Sequence, residues 1–215
     1  MSGLTYEKEL VALLVVDPYN DFISEGGKVW GRVKEVAEGV NCVPNMRRIL
    51  QTSRTLGLRI FFVPHHRWRD GDYATWKNLA PVQERANNRK TFQYGTWGGE
   101  FHPDFQPLPN EIVAQEHWCS SGFANTDLDL LLKRHGIQQL IIIGLLANTC
   151  IESTMRFAVE LGYRATLVKD AIASLSWDEM KATLEINAPA YANAIVSTEE
   201  LISQLTAQFG ATIAQ

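Results

Sequence analysis

Six short apolar runs punctuate the chain: "ELVALLVVD" (9–17), "LRIFFVP" (58–64), "EIVAQ" (111–115), "QQLIIIG" (138–144), "RATLVKD" (164–170) and "NAIVST" (193–198). Each has strand length. The strongest are apolar at consecutive positions, so both faces are buried, as in a parallel sheet covered by helices. Helical patterns fill the gaps. Residues 32–57 read as helix, with Gly39 and Pro44 as points of breakage or late start. Residues 125–136 have a capping residue in front and Gly136 as a stop. Residues 149–162, 176–192 and 197–210 complete the set, the last with Ser197 or Thr198 as cap and Glu199 and Glu200 in the first turn. Strand and helix alternate throughout, which predicts a three-layer α/β/α sandwich. With no repeat, low-complexity tract or linker, residues 1–215 read as one domain. Residues 64–110 break the regularity. They are rich in aromatics, Gly, Pro and Arg, and read as a lid or pocket wall with a short helix around 81–87.

Composition narrows the function classes. The chain of 215 residues is 46% hydrophobic and 20% charged, as a globular protein is. Its net charge of −4 argues against a nucleic-acid partner. No apolar run approaches the roughly 18–20 residues that cross a bilayer, and "MSGLTYEKEL" lacks a signal-peptide pattern. Three cysteines, an odd and low count, point to reduced thiols and a cytoplasmic setting. The expected partner is therefore a small molecule, with neither nucleic acid nor membrane.

The chemistry concentrates at two strand ends. Cys150 lies just past the fourth run, where a helix begins. Ligands of open α/β sheets bind outside the carboxyl ends of the strands. Unpaired amides and the helix dipole there favour a thiolate and can hold an oxyanion. The competing reading is a small buried hydrophobe. Asp17 directly follows the first run. It suits a general base that takes the thiol proton and returns it to a leaving amine, or equally a helix cap ahead of Pro18.

Taken together, "LLVVDPYNDF", "SGFANTDLDLLLKRHGI", "LIIIGLLANTCIESTMRFAVELGY" and "ATLVKDAIAS" resemble the isochorismatase-like cysteine hydrolase superfamily nearly end to end. The resemblance implies a six-stranded parallel sheet, Rossmann-like in order 3-2-1-4-5-6, and hydrolysis of a C–N bond in a small amide, carbamoyl or ureido compound through a cysteine thioester. It implies an Asp–Lys–Cys triad with Asp17 first and Cys150 third. It also implies a non-proline cis peptide near Leu145–Leu146, an oxyanion hole made by the amides of Leu146 and Cys150, and a homodimer or homotetramer. The lysine is missing. In "EIVAQEHWCSSGF" Gln115 best matches its position, with Glu116 and His117 as neighbouring candidates. A glutamine donates a hydrogen bond but brings no charge. Two alternatives follow: a vinyl-ether hydrolase of the isochorismate type that does not need the cysteine, or a catalytically weak binding protein.

The remaining candidates surround this centre. Tyr19 and Phe22 are expected as pocket walls, and Asn20 and Asp21 as turn-closing residues. His65 is expected to face substrate. Adjacent His65 and His66 make a poor chelating pair, so no metal is expected. Arg67 offers a fork for a substrate carboxylate, and Trp76 and Trp118 offer aromatic pocket surface. No phosphate-binding glycine motif is present, and no cofactor is expected.

Overall fold

The computed structural model describes residues 5–210. Its strands are β1 (Val11–Val16), β2 (Arg59–Val63), β3 (Ile112–Val113), β4 (Gln139–Leu145), β5 (Arg164–Ala173) and β6 (Ala194–Val196). They form one six-stranded sheet in the order β3-β2-β1-β4-β5-β6, all pairs parallel. This is the order expected from the resemblance. Every residue of β1 and β4 is buried, which explains the unbroken apolar runs.

The helices are α1 (Asn20–Ile23), α2 (Trp30–Gly39), α3 (Cys42–Thr55), α4 (Pro81–Arg89), α5 (Leu128–Arg134), α6 (Glu152–Glu160), α7 (Trp177–Lys181) and α8 (Thr198–Phe209). The long helical pattern before β2 divides into α2 and α3 at Asn41, whose left-handed φ of 55° interrupts the helix. Helix α5 starts at Leu128, later than the pattern from 125 suggests, because Asn125 is itself left-handed (φ 60°). At α8 Ser197 caps as anticipated, in a reciprocal box with Glu200.

The sheet order decides where a site can form. From β1 the chain crosses to one side, to β2, and from β4 to the other side, to β5. Right-handed crossovers therefore put α3 and α6 on opposite faces, and a crevice opens between the ends of β1 and β4. Gly144 makes that crevice possible. Its φ is +127°, and a Cβ there would run into the Val16 carbonyl at the end of β1. The β4–β5 register also shifts between Ile142 and Gly144, an irregularity of the kind that bends a strand locally.

Segment 64–110 closes over this edge and holds α4, close to the anticipated short helix. It is fastened to the residues after β1. Asn20 donates from Nδ2 to the Trp97 carbonyl (2.8 Å), and Asp21 accepts the Phe92 amide (2.7 Å). Tyr19 pairs with Phe101 in an isolated antiparallel bridge. Asn20 and Asp21 thus do more than close a turn: they tie the lid to the sheet edge. Gln83 of α4 donates to the Trp118 carbonyl (3.0 Å), fixing the helix to the chain beyond β3.

Candidate active site

Asp17 ends β1 with a φ of 53°, a conformation few non-glycine residues adopt and one that occurs disproportionately at functional sites. Its amide donates to the Val63 carbonyl (3.1 Å), so β2 holds the turn, and its side chain is fully buried. Cys150 lies in a π-helical turn (Ala147–Ile151) that leads into α6, 5% exposed. The peptide bond between Leu145 and Leu146 is cis, as the resemblance implied. Asn148 is braced by Ser174, whose hydroxyl donates to Asn148 Oδ1 (2.8 Å) and accepts the Asn148 amide (3.3 Å).

The third member of the cluster is His117, also fully buried. Its Nε2 lies 3.2 Å from Asp17 Oδ1. The donor atoms of Asp17, His117 and Cys150 all fall within 4.8 Å of one another. Gln115, the first choice for the lysine position, does not join them. It is exposed, and its amide donates to Asp127 Oδ1 (2.7 Å). Exposed Val113, buried Ala114 and exposed Gln115 follow simple strand alternation, which turns Gln115 outward, and beyond it the register slips by one residue. Phe62 pairs with Val113, yet His65 pairs with His117, so the third strand carries one extra residue between those levels. A slip of one reverses which side chains face the crevice, so His117 takes the inward position that regular alternation from Ala114 would give to Glu116. Two bonds lock the result: the His117 amide donates to the Pro64 carbonyl (2.9 Å), and the His66 amide to the His117 carbonyl (2.8 Å).

The electrostatics differ from those expected at a helix start. Burial pushes the Cys150 thiol well above its ordinary pKa, and the charge and hydrogen bond of Asp17 push it the same way. The Thr149 hydroxyl and the Leu146 amide, both directed at the sulfur, oppose this without prevailing. The resting thiol is therefore protonated at neutral pH. Among the described residues, Asp17 Oδ2 and His117 Nδ1 are buried with no conventional partner, so the centre holds unsatisfied acceptor and ring-nitrogen capacity. An Asp oxygen, a His nitrogen and a Cys sulfur in this arrangement also form a donor set that a zinc-type ion accepts.

A cavity of about 130 Å³ opens onto Cys150. Phe22, His65, Phe92 and Leu146 line it. The His65 Nδ1 contacts the His66 carbonyl (2.9 Å), which can only accept, so Nδ1 carries the hydrogen and Nε2 is an acceptor. Burial, followed by the neighbouring His117, lowers the His65 pKa to about 4, and the ring is neutral at neutral pH.

Other expected pocket residues lie elsewhere. Tyr19 is buried beside the pocket, and its hydroxyl donates to the His65 carbonyl (2.8 Å). Arg67 is not free for substrate. Its Nε is 2.6 Å from Glu116 Oε1, and it borders a separate cleft with Tyr19 and Gln115. Trp76 is 44% exposed and sits in an aromatic cluster with Tyr73 and Trp118 rather than in the cavity. Trp118 stacks on His66 with centroids 3.6 Å apart. Both nitrogens of His66 are engaged, by Asp72 (2.7 Å) and Glu116 (3.2 Å), which leaves no ring nitrogen open to a metal. A larger cavity of about 350 Å³ lies at the opposite, amino-terminal end of the strands, remote from this chemistry.

Residues 11–200 match the family model described as the isochorismatase domain. The chain belongs to the isochorismatase family. Among curated relatives, a ureidoacrylate amidohydrolase, RutB, of Rhizobium rhizogenes is 28% identical over 187 residues, covering 81% of this chain and 75% of the relative. Among solved structures, a cysteine hydrolase from Pseudomonas syringae pv. phaseolicola superposes with a TM-score of 0.78 at 21% identity, covering 97% of this chain and all of the other. N-carbamoylsarcosine amidase from Thermoplasma acidophilum gives 0.64 at 25% identity, covering 88% and 97%. Within this isochorismatase fold, the sequence signals for Asp17 and Cys150 were strong because each lies shortly beyond the end of a buried strand. Those for Arg85 and Arg89, which also line the cavity, were absent, since α4 lies in the irregular segment.

Proposed function

We propose that this isochorismatase-family chain hydrolyses the C–N bond of a small amide, carbamoyl or ureido compound through a cysteine thioester. The observation that carries the reading is the convergence of Asp17, His117 and Cys150 at the β1–β4 crevice, beneath a cavity that reaches the thiol. The amidohydrolase and amidase named above support the substrate class. Asp17 takes the thiol proton as sulfur attacks the carbonyl carbon. The oxygen becomes an oxyanion held by the amides of Leu146 and Cys150. The C–N bond then breaks, the nitrogen leaves with the proton carried by Asp17, and a thioester remains. Water, deprotonated by Asp17, attacks the thioester and releases acid and free thiol. His117 stands where the lysine is missing and donates to Asp17 Oδ1, orienting the carboxylate toward sulfur. The raised thiol pKa fits this order of events, because proton transfer and attack are then concerted within one pocket.

The test is Asp17→Asn. Removing the charge that raises the thiol pKa lowers it, so alkylation of Cys150 at neutral pH should accelerate, while turnover on an amide and ureido panel should fall by about 10²–10⁴. Slower alkylation, or unchanged turnover, would overturn the assignment. Cys150→Ala should abolish turnover; retained activity would favour the vinyl-ether alternative.

A further inference from the structure

The cavity over Cys150 has an apolar floor and a charged mouth. Val82, Arg85, Ala86 and Arg89 of α4 all line it, and their spacing of three and four places them on one helix face. Arg32 of α2 lines the same cavity from another element. All three arginines are exposed, whereas Cys150 is buried, so the guanidinium groups sit at the entrance and the thiol at the bottom. Among the described residues none of the three guanidinium groups makes an ion pair, a hydrogen bond or a ring contact. Arg67, Arg54 and Arg156, by contrast, are each paired with a carboxylate. Among the described residues that line the cavity, the one carboxylate is Glu179, which accepts the Leu175 amide (2.9 Å). Three unpaired cations on one opening, two of them repelling each other four residues apart on a helix, are unfavourable in the free protein. In a chain of net charge −4 they are also a local reversal of sign.

We propose that Arg32, Arg85 and Arg89 form an anion subsite, so that the substrate is a short amide or ureido acid whose carboxylate meets the arginines while its carbonyl reaches Cys150. This names the substrate class within the hydrolase reading above and rests on it. Guanidinium forks bind carboxylates in bidentate fashion. The cavity of about 130 Å³ lies below the roughly 300–1,000 Å³ of sites for drug-sized ligands and suits a compact acid. Cationic residues at a narrow entrance also draw anions inward.

The probes are 3-ureidopropionate and its neutral counterpart, 3-ureidopropanamide. Turnover of both is measured in the unaltered chain and in R85Q/R89Q and R32Q variants. The acid should be preferred. R85Q/R89Q should raise its KM by about ten- to a hundredfold with kcat little changed and the neutral compound unaffected, and added salt should raise KM for the acid alone. Binding is read separately by thermal shift in Cys150→Ser, with and without the arginine substitutions. Acid-selective binding that the arginine substitutions remove, without turnover in the unaltered chain, keeps the subsite and refutes the hydrolase reading. Equal treatment of acid and amide refutes the subsite and leaves that reading intact. Absence of acid-selective binding in Cys150→Ser refutes the subsite as well.

Discussion

The missing lysine offers the sharpest test of the site. His117→Lys puts a permanent cation where the imidazole now stands, within 4.8 Å of the Cys150 sulfur and beside Asp17. At that distance and an effective dielectric of about 20, a unit charge favours the thiolate by about 3.5 kcal/mol, roughly 2.5 pKa units. Burying the ammonium offsets part of this, but the Asp17 carboxylate compensates for that burial, so a net fall of about 2 units is the expectation. The assay is iodoacetamide alkylation across pH, with the modified cysteine located by mass spectrometry. Cys42 is fully buried and its thiol is pushed up by burial, so it provides an internal unreactive reference. Gln115→Lys is the matched control: that side chain is exposed and outside the cluster, and its alkylation profile should overlay that of the unaltered chain. A shift with Gln115→Lys and none with His117→Lys would refute the placement of His117 and return the lysine position to Gln115. No shift with either would show that the charge beside Asp17 does not govern the thiol.

Two further outcomes follow from the geometry. Gly144→Ala should cost more than about 2 kcal/mol in urea unfolding, since a Cβ there meets the Val16 backbone and the φ of +127° suits only glycine; a loss under 0.5 kcal/mol would contradict the close approach of β1 and β4. Glu116, although partly desolvated, is held down to a pKa of about 2 by hydrogen bonds from His66 and Arg67. Its folded value is thus below the ordinary 4.5, so its contribution is present above about pH 4.5 and lost as pH falls toward 2. Glu116→Gln should flatten that acid limb of the stability curve, and an unchanged limb would mean the bonds hold no charge.

Much of this protein is determined by local pattern. The unbroken apolar runs of β1 and β4 demanded a sheet buried on both faces, and a carboxylate and a thiol placed just beyond them had to emerge at its carboxyl edge. Ser197 as a cap and the break between α2 and α3 were equally local, since capping and helix interruption depend on a few adjacent residues. What the tertiary structure decided is non-local. A single extra residue just beyond β3 selects His117 over Glu116, and only pairing with the β2 side reveals it, because a slip of one residue leaves the composition of a segment unchanged while reversing its faces. The pairing of Arg67 with Glu116 and the unpaired arginines of α4 depend on where an aperiodic segment packs. The balance on the Cys150 thiol is likewise a sum over burial and the Asp17 charge, neither of which acts along the chain: the two residues are far apart in sequence and meet only because β1 and β4 are neighbours.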